Sequence, residues 1–152
     1  LSTLHTNDAP ATIVRLMNMG IEAFLVTAGI NCIVAQRLLR TVCSSCKEPA
    51  NVPTQKLVDV GIPESVAVQL KLMKGRGCNN CGNSGFKGRI AIYEVMEFTS
   101  ALKEKVLAGC TAIELKRAAV KEGMRTLRMA ALQKVAEGKT TLEEALTLTS
   151  AD

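Results

Sequence analysis

Two short cysteine pairs, Cys43-Ser-Ser-Cys46 and Cys78-Asn-Asn-Cys81, constrain this 152-residue chain more than any other feature. The C-x2-C spacing lets two thiolates from one tight turn reach the same ion, and two such turns complete a tetrahedral four-thiolate shell. The segment between the pairs, Lys47 to Gly77, is 31 residues long. It is predicted to fold as a small insertion whose base is cinched by a metal. Spacing and ligand softness favour one structural zinc per chain over two alternatives, disulfides and an iron–sulfur cluster. Disulfides fit poorly with a cytosolic composition and no signal-peptide pattern at the start. For a cluster, the spacing matches neither common ferredoxin pattern. A closed four-cysteine shell leaves no position open for catalysis. The lone Cys32 and Cys110 lie in apolar patterns and are expected to be buried thiols acting as small hydrophobes.

The hydrophobic fraction of 47% is ample for a core, yet the chain has no Trp, one Tyr and three Phe. That poverty of aromatics, with no basic stripe around either knuckle, argues against a nucleic-acid platform. The formal charge is +5, and metal-bound thiolates would lower it. Such a modest basic balance suits an acidic partner, a phosphate ligand or an anionic membrane surface without choosing among them. The most apolar stretch, Ala23 to Leu39, is broken by Thr27, Asn31, Gln36 and Arg37, so no transmembrane segment is expected. The chain reads as a soluble fragment of a larger protein, beginning inside a strand.

Residues 1–5 read as a strand end running into the turn Thr6-Asn7-Asp8. Asp8 or Asn7 can cap the next helix, with Pro10 in its first turn. A second helix is predicted over about 22–36 and a short strand over 38–42. Two short helices, 54–60 and 63–73, should fill the insertion. Arg89-Ile-Ala-Ile-Tyr-Glu-Val-Met96 is apolar on both faces apart from Glu94, the profile of a strand buried inside a sheet. From Thr99 onward the pattern is helical, with capping boxes at Thr111-Ala-Ile-Glu114 and Thr141-Leu-Glu-Glu144.

Gly138-Lys139-Thr140 looks like the end of a phosphate-binding loop, but G-x4-G-K-[ST] would require Gly where Gln133 stands. The tripeptide is a helix stop followed by a cap. His5, the only histidine, lies among Thr3, Thr6, Asn7 and Asp8 at a predicted strand end, where ligands bind in open α/β sheets. The alternative is a capped turn with an exposed His. Arg89 follows Gly85-Phe86-Lys87-Gly88. Glycines there allow close backbone approach, and Arg supplies a planar fork for phosphate or stacking on a base. A pair of solvated cations beside glycines that only serve the metal turn explains the same residues.

Ser2-Thr-Leu-His-Thr-Asn-Asp-Ala9, then Ala35-Gln-Arg-Leu38, then Cys78-x2-Cys81-x3-Gly85-Phe-Lys-Gly-Arg89-x2-Ile-Tyr-Glu94 stand in a recognisable order. Together with the tail stretches Glu122 to Leu127 and Glu137 to Glu144, they resemble the C-terminal part of the type II secretion and type IV pilus assembly ATPases. The resemblance spans essentially the whole chain. It implies an α/β fold: part of a RecA-like core, the C-terminal part of a P-loop NTPase, with a tetracysteine zinc-closed insertion and a helical C-terminal subdomain. The matching boundaries are 1–42 for the core part, 43–81 for the insertion, 82–98 for a return strand and 99–152 for the helical subdomain.

The resemblance further implies a cytoplasmic hexameric motor, peripheral to the inner membrane, that docks on an inner-membrane platform protein. ATP hydrolysis with Mg2+ would drive pilin or pseudopilin movement. His5 falls in the family's His box, near the nucleotide's phosphates and coupling hydrolysis to motion; Arg89 falls close to the base and sugar. Cys43, Cys46, Cys78 and Cys81 match the zinc element, which retraction motors generally lack. The family's Walker A, Asp box and Walker B lie upstream of the His box, so the parent is expected to hydrolyse ATP and this chain alone is not. The stretch Lys87 to Val95 and the Thr-Thr-Leu-Glu-Glu ending look closer to a pilus assembly motor than to a secretion motor. A zinc-stabilised module binding protein or nucleic acid, with no nucleotide chemistry, is the alternative from another class.

Overall fold

The computed structural model describes residues 2–150. Capping residues and glycines divide them into α1 (Ala9–Asn18), α2 (Ala23–Gly29), β1 (Cys32–Val42), β2 (Lys47–Pro49), α3 (Thr54–Asp59), α4 (Glu64–Ala67) and β3 (Met73–Gly75). Then come β4 (Phe86–Glu97), α5 (Ser100–Leu107), α6 (Ala112–Lys121), α7 (Leu127–Ala136) and α8 (Leu142–Leu148). β1 neighbours β4 in one two-stranded sheet, and β2 neighbours β3 in another. The chain thus has the expected mixed α/β character. It forms two units, Leu1–Gln36 with Tyr93–Leu127, and Arg37–Ile92 with Arg128–Asp152.

In the first unit, Asp8 caps α1 by accepting the Ala11 N–H at 2.8 Å, and Pro10 occupies the first turn, where its missing N–H costs nothing. Thr99 accepts the Leu102 N–H at the start of α5. Thr111 and Glu114 form the reciprocal capping box that opens α6, at 3.3 and 2.8 Å. α1 packs on α2 and α6, and α5 on α2 and α6. Ile13, Val26, Met96, Leu102 and Leu115 are buried there. The expected strand at the chain start is not found over residues 2–6, and Leu1 lies outside the described residues. The helix expected to reach Gln36 stops at Gly29, and Cys32 onward is strand. The three- and four-residue apolar spacing fitted a helix, but Gly29 and Asn31 break it, and the β-branched Ile33 and Val34 prefer the pleat.

In the second unit, β2 and β3 run antiparallel, with Lys47 opposite Gly75, Glu48 opposite Lys74 and Pro49 opposite Met73. The helix expected over 63–73 ends at Ala67; residues 68–72 are turn and irregular chain, and Met73 opens β3, whose pairing with β2 brings the chain back to its entry point. Leu39, Leu57, Leu72, Ala131 and Leu142 are buried in this unit. Thr141 caps α8 by accepting the Glu144 N–H, but Glu144 does not complete the expected capping box. Its carboxylate turns to Arg40. β4 is longer than predicted and alternates: Ile92, Glu94 and Met96 are buried, while Tyr93 and Val95 are about half exposed. It has one neighbouring strand and one covered face, so the predicted burial on both faces is not met.

Candidate metal centre

Each cysteine pair is built on a short 3-10 turn, Ser44–Cys46 after β1 and Asn79–Cys81 after β3. The chain leaves the first pair straight into β2 and enters the second from β3, so the β2–β3 ladder holds the two turns together. Backbone bonds add to this: the Cys43 N–H donates to the Gly85 carbonyl at 2.9 Å, and the Arg76 N–H to the Cys46 carbonyl at 3.0 Å. Gly75 and Gly85 lie backbone to backbone. A Cβ on Gly75 would sit 2.0 Å from the Gly85 oxygen, and Gly85 takes φ +75°, a conformation side chains resist.

The four Sγ atoms all lie within 4.8 Å of one another. Cys43 and Cys78 are 3.9 Å apart, Cys46 and Cys81 3.9 Å, and Cys78 and Cys81 3.7 Å. A tetrahedron with metal–sulfur bonds of about 2.3 Å has edges of about 3.8 Å, so the sulfurs stand where one zinc-sized ion requires them. These separations are well beyond the S–S bond length of about 2.05 Å, and no cysteine is paired in a disulfide. A multi-iron cluster spreads its ligands over several metals and needs wider sulfur spacing.

Several N–H groups point at these sulfurs, among them Gly77, which donates to Cys46 Sγ at 3.3 Å, and Cys78, which donates to Cys81 Sγ at 3.2 Å. Such bonds stabilise thiolates and orient ligands. Burial works against a thiolate on Cys81, but the Cys78 and Gly85 N–H groups, with its sulfur neighbours, outweigh it and bring Cys81 down to about 6. Burial pushes Cys46 up to about 11. A dication reverses that logic by favouring all four thiolates. Among the described residues no fifth His, Cys, Asp or Glu joins the four cysteines.

The remaining candidates are not drawn into this centre. His5 is exposed, in the irregular segment before α1, and belongs to the first unit; Arg89 is exposed on β4 and belongs to the second. Cys32 is exposed at the start of β1, against expectation, because the segment is strand and its side chain falls on the open face. Cys110 is half-buried between α5 and α6, and burial pushes its thiol up.

Sequence reasoning missed three groups. Gly75 and Gly77 bracket Arg76 just before Cys78, and that glycine spacing was a usable signal for the close approach. Glu94, the polar residue in an apolar strand, was visible but unassigned. The third group, Arg40 with Glu144, had no local signal, since 104 residues separate the pair. Arg40 Nε and Nη2 and its backbone N–H all donate to the Glu144 carboxylate, at 2.6 to 3.1 Å, and the guanidinium lies 4.3 Å from the Phe86 ring centroid.

The chain is thus mixed α/β, with four cysteine sulfurs placed closely enough to share one metal ion. Residues 1–147 match the model of the family described as "Type II/IV secretion system protein", and the chain belongs to that family. It is 52% identical, over its full length, to the type IV pilus assembly ATPase PilB of Myxococcus xanthus, covering 27% of that protein. It is 44% identical over 95% of its length to PilB of Pseudomonas aeruginosa, covering 25% of it. It is also 38% identical over 98% of its length to the type II secretion system protein E of the same organism, covering 29% of it. The chain therefore spans about a quarter of the length of the curated relatives it matches. No helix among the described residues is long and apolar enough to cross a membrane.

Proposed function

We propose that this chain is the C-terminal part of a cytoplasmic motor ATPase that powers type IV pilus assembly, with type II secretion as the related task. The carrying observation is its end-to-end identity, 52%, to a type IV pilus assembly ATPase. In this reading residues 1–42 and 82–98 complete a RecA-like core whose phosphate loop and magnesium ligands are supplied by the rest of the parent. Residues 43–81 form the zinc-closed insertion, and residues 99–152 a helical subdomain. Cys43, Cys46, Cys78 and Cys81 would hold one zinc, which supplies closure of the insertion rather than chemistry. The parent assembles as a hexamer on an inner-membrane platform protein.

His5 and Arg89 take different roles in this proposal. His5 faces the nucleotide's phosphates and couples hydrolysis to motion. Arg89 stacks on or hydrogen-bonds the base or sugar. Support comes from their place in the motifs that carry the family resemblance and from their exposure, which leaves both side chains accessible. Steady-state ATPase kinetics and nucleotide titration of the full-length parent test the roles. Arg89→Ala should raise KM more than it lowers kcat, whereas His5→Ala should depress turnover and pilus output with affinity nearly intact. An Arg89→Ala parent that binds nucleotide normally, or a His5→Ala parent that turns over normally, refutes the corresponding role. Magnesium-dependent phosphate release by the 152-residue chain alone would refute the division of labour between it and the rest of the parent.

A further inference from the structure

Glu94 interrupts an otherwise apolar strand face, and it is 1% exposed. Its Oε1 accepts the Ala9 N–H at 2.7 Å and its Oε2 accepts the Leu127 N–H at 3.1 Å. Ala9 opens α1 and Leu127 opens α7, so one carboxylate satisfies two of the donors that helix starts leave without partners. Two helix N-termini also favour negative charge at that point. Packing alone does not account for the residue, because an apolar side chain would fill the inward position at lower desolvation cost. What a carboxylate adds is a fixed tie between β4 and the first turn of α1. That turn follows directly from the segment bearing His5, and it is also fastened by the Ala11 N–H bond to the Asp8 side chain and by the Thr12 hydroxyl, which bonds the Thr6 hydroxyl at 2.7 Å and the Asp8 carbonyl at 3.2 Å.

We propose that Glu94 is the positioning residue for the His5 segment: by accepting the Ala9 and Leu127 N–H groups together, it locks the start of α1 against β4 and so fixes where His5 is presented. This rests on the role given to His5 above. Glu94 touches no reacting group itself; it acts through the turn from His5 to Ala9. Gln at this position keeps the shape but replaces one oxygen by a donor, so only one of the two N–H groups retains its acceptor. Met fills similar space with no oxygen acceptor at all.

The test uses the full-length parent carrying Glu94→Gln, Glu94→Met, His5→Ala, and the His5→Ala/Glu94→Gln pair. Glu94→Gln should lower kcat about tenfold with KM changed less than about twofold, and Glu94→Met should lower it further. The double variant should be no slower than His5→Ala alone, because a residue acting only through His5 has nothing left to lose. Losses that multiply overturn the proposal, as does a parallel loss of nucleotide binding and bound zinc in both Glu94 variants, which would mark Glu94 as general scaffold. Amide hydrogen exchange supplies a readout independent of activity: protection at Ala9 and Leu127 should fall in Glu94→Gln, and unchanged protection overturns the tie. If His5→Ala turns over normally while exchange at Ala9 responds to Glu94→Gln, the His5 role fails and the proposed link to turnover fails with it, but the tie itself stands.

Discussion

The two units each bury a glutamate and stabilise it by opposite means. In the first, backbone N–H groups of two helix starts receive the Glu94 carboxylate. Burial is the largest influence and pushes its carboxyl up, the Ala9 and Leu127 N–H groups pull it down, Asp8 raises it, Lys116 lowers it, and the net direction is upward. In the second, the Arg40 guanidinium grips Glu144 and holds its carboxyl below the usual range against the cost of burial. The same asymmetry runs through the charges: the first unit has seven basic and seven acidic side chains, the second twelve and seven, so the whole formal charge of +5 lies in the unit with the cysteines. Helix dipoles and apolar packing hold the neutral unit. Full charges and the four-cysteine cluster mark the other, and each should fail under a different stress.

The hardest way to separate them is to take the metal. A chelator strong enough to strip zinc, or Cys81→Ser, should unfold the turns around 43–49 and 73–85 while the helices around Ile13, Leu102 and Leu115 keep their exchange protection. Metal binding energy in such sites is of the same order as the whole stability of a small domain. Loss of protection in both units together would break the comparison. Elemental analysis should find about one zinc per chain before treatment.

A smaller effect is expected from Gly85→Ala, which adds a Cβ 2.5 Å from the Gly75 oxygen at a residue with φ +75°. The left-handed conformation alone costs an alanine about 1–2 kcal/mol, and the clash must add to it. Weaker zinc retention against a competing chelator, with the first unit unchanged, is the expected signature. Equal retention would mean that the close approach is not needed to set the sulfurs.

The smallest effect is on pH, where the two glutamates should pull in opposite directions. Glu144, with its carboxyl depressed on folding, contributes stability above the ordinary carboxylate value of 4.5, and that contribution is lost as pH falls through its folded value. Glu94, with its carboxyl raised, contributes stability that is present below 4.5 and lost as pH rises through its folded value. Acidification through the depressed range should therefore loosen amides near Arg40 and α8, and Glu144→Gln should flatten that response alone. Hydrogen exchange at several pH values, followed unit by unit, checks this. Identical acid profiles would show that the two environments differ less than their geometry suggests.

What could be read from the sequence was whatever depends on neighbours in the chain. The Cys43–Cys46 and Cys78–Cys81 pairs, the Asp8 cap with Pro10 and the Thr111–Glu114 box are local patterns, and each stands where its pattern put it. Partnerships made by folding were not legible. Glu144 has a capping-box spacing, yet a guanidinium 104 residues away outbids the cap. Ile33 and Val34 sit within a helical apolar rhythm, yet they pair in a strand. The resemblance to a family supplied roles for His5 and Arg89 that no local rule could, since an exposed His and an exposed Arg look alike whether they meet a ligand or only water.

The β2–β3 ladder has one more consequence, for how such a chain can change over time. The Ala50 N–H donates to the Leu72 carbonyl at 2.8 Å just beyond the ladder, so everything between them, α3 and α4 included, leaves and returns through a single narrow neck. With that neck clasped by sulfur and backbone, the sequence beyond it is relieved of any duty to align the cysteines. Doubling the length of a flexible loop costs only about 0.6 kcal/mol in closure entropy. The hairpin beyond Ala50 is therefore a detachable cassette, free to shorten, lengthen or acquire new surface chemistry while the clasp beneath it stays the same.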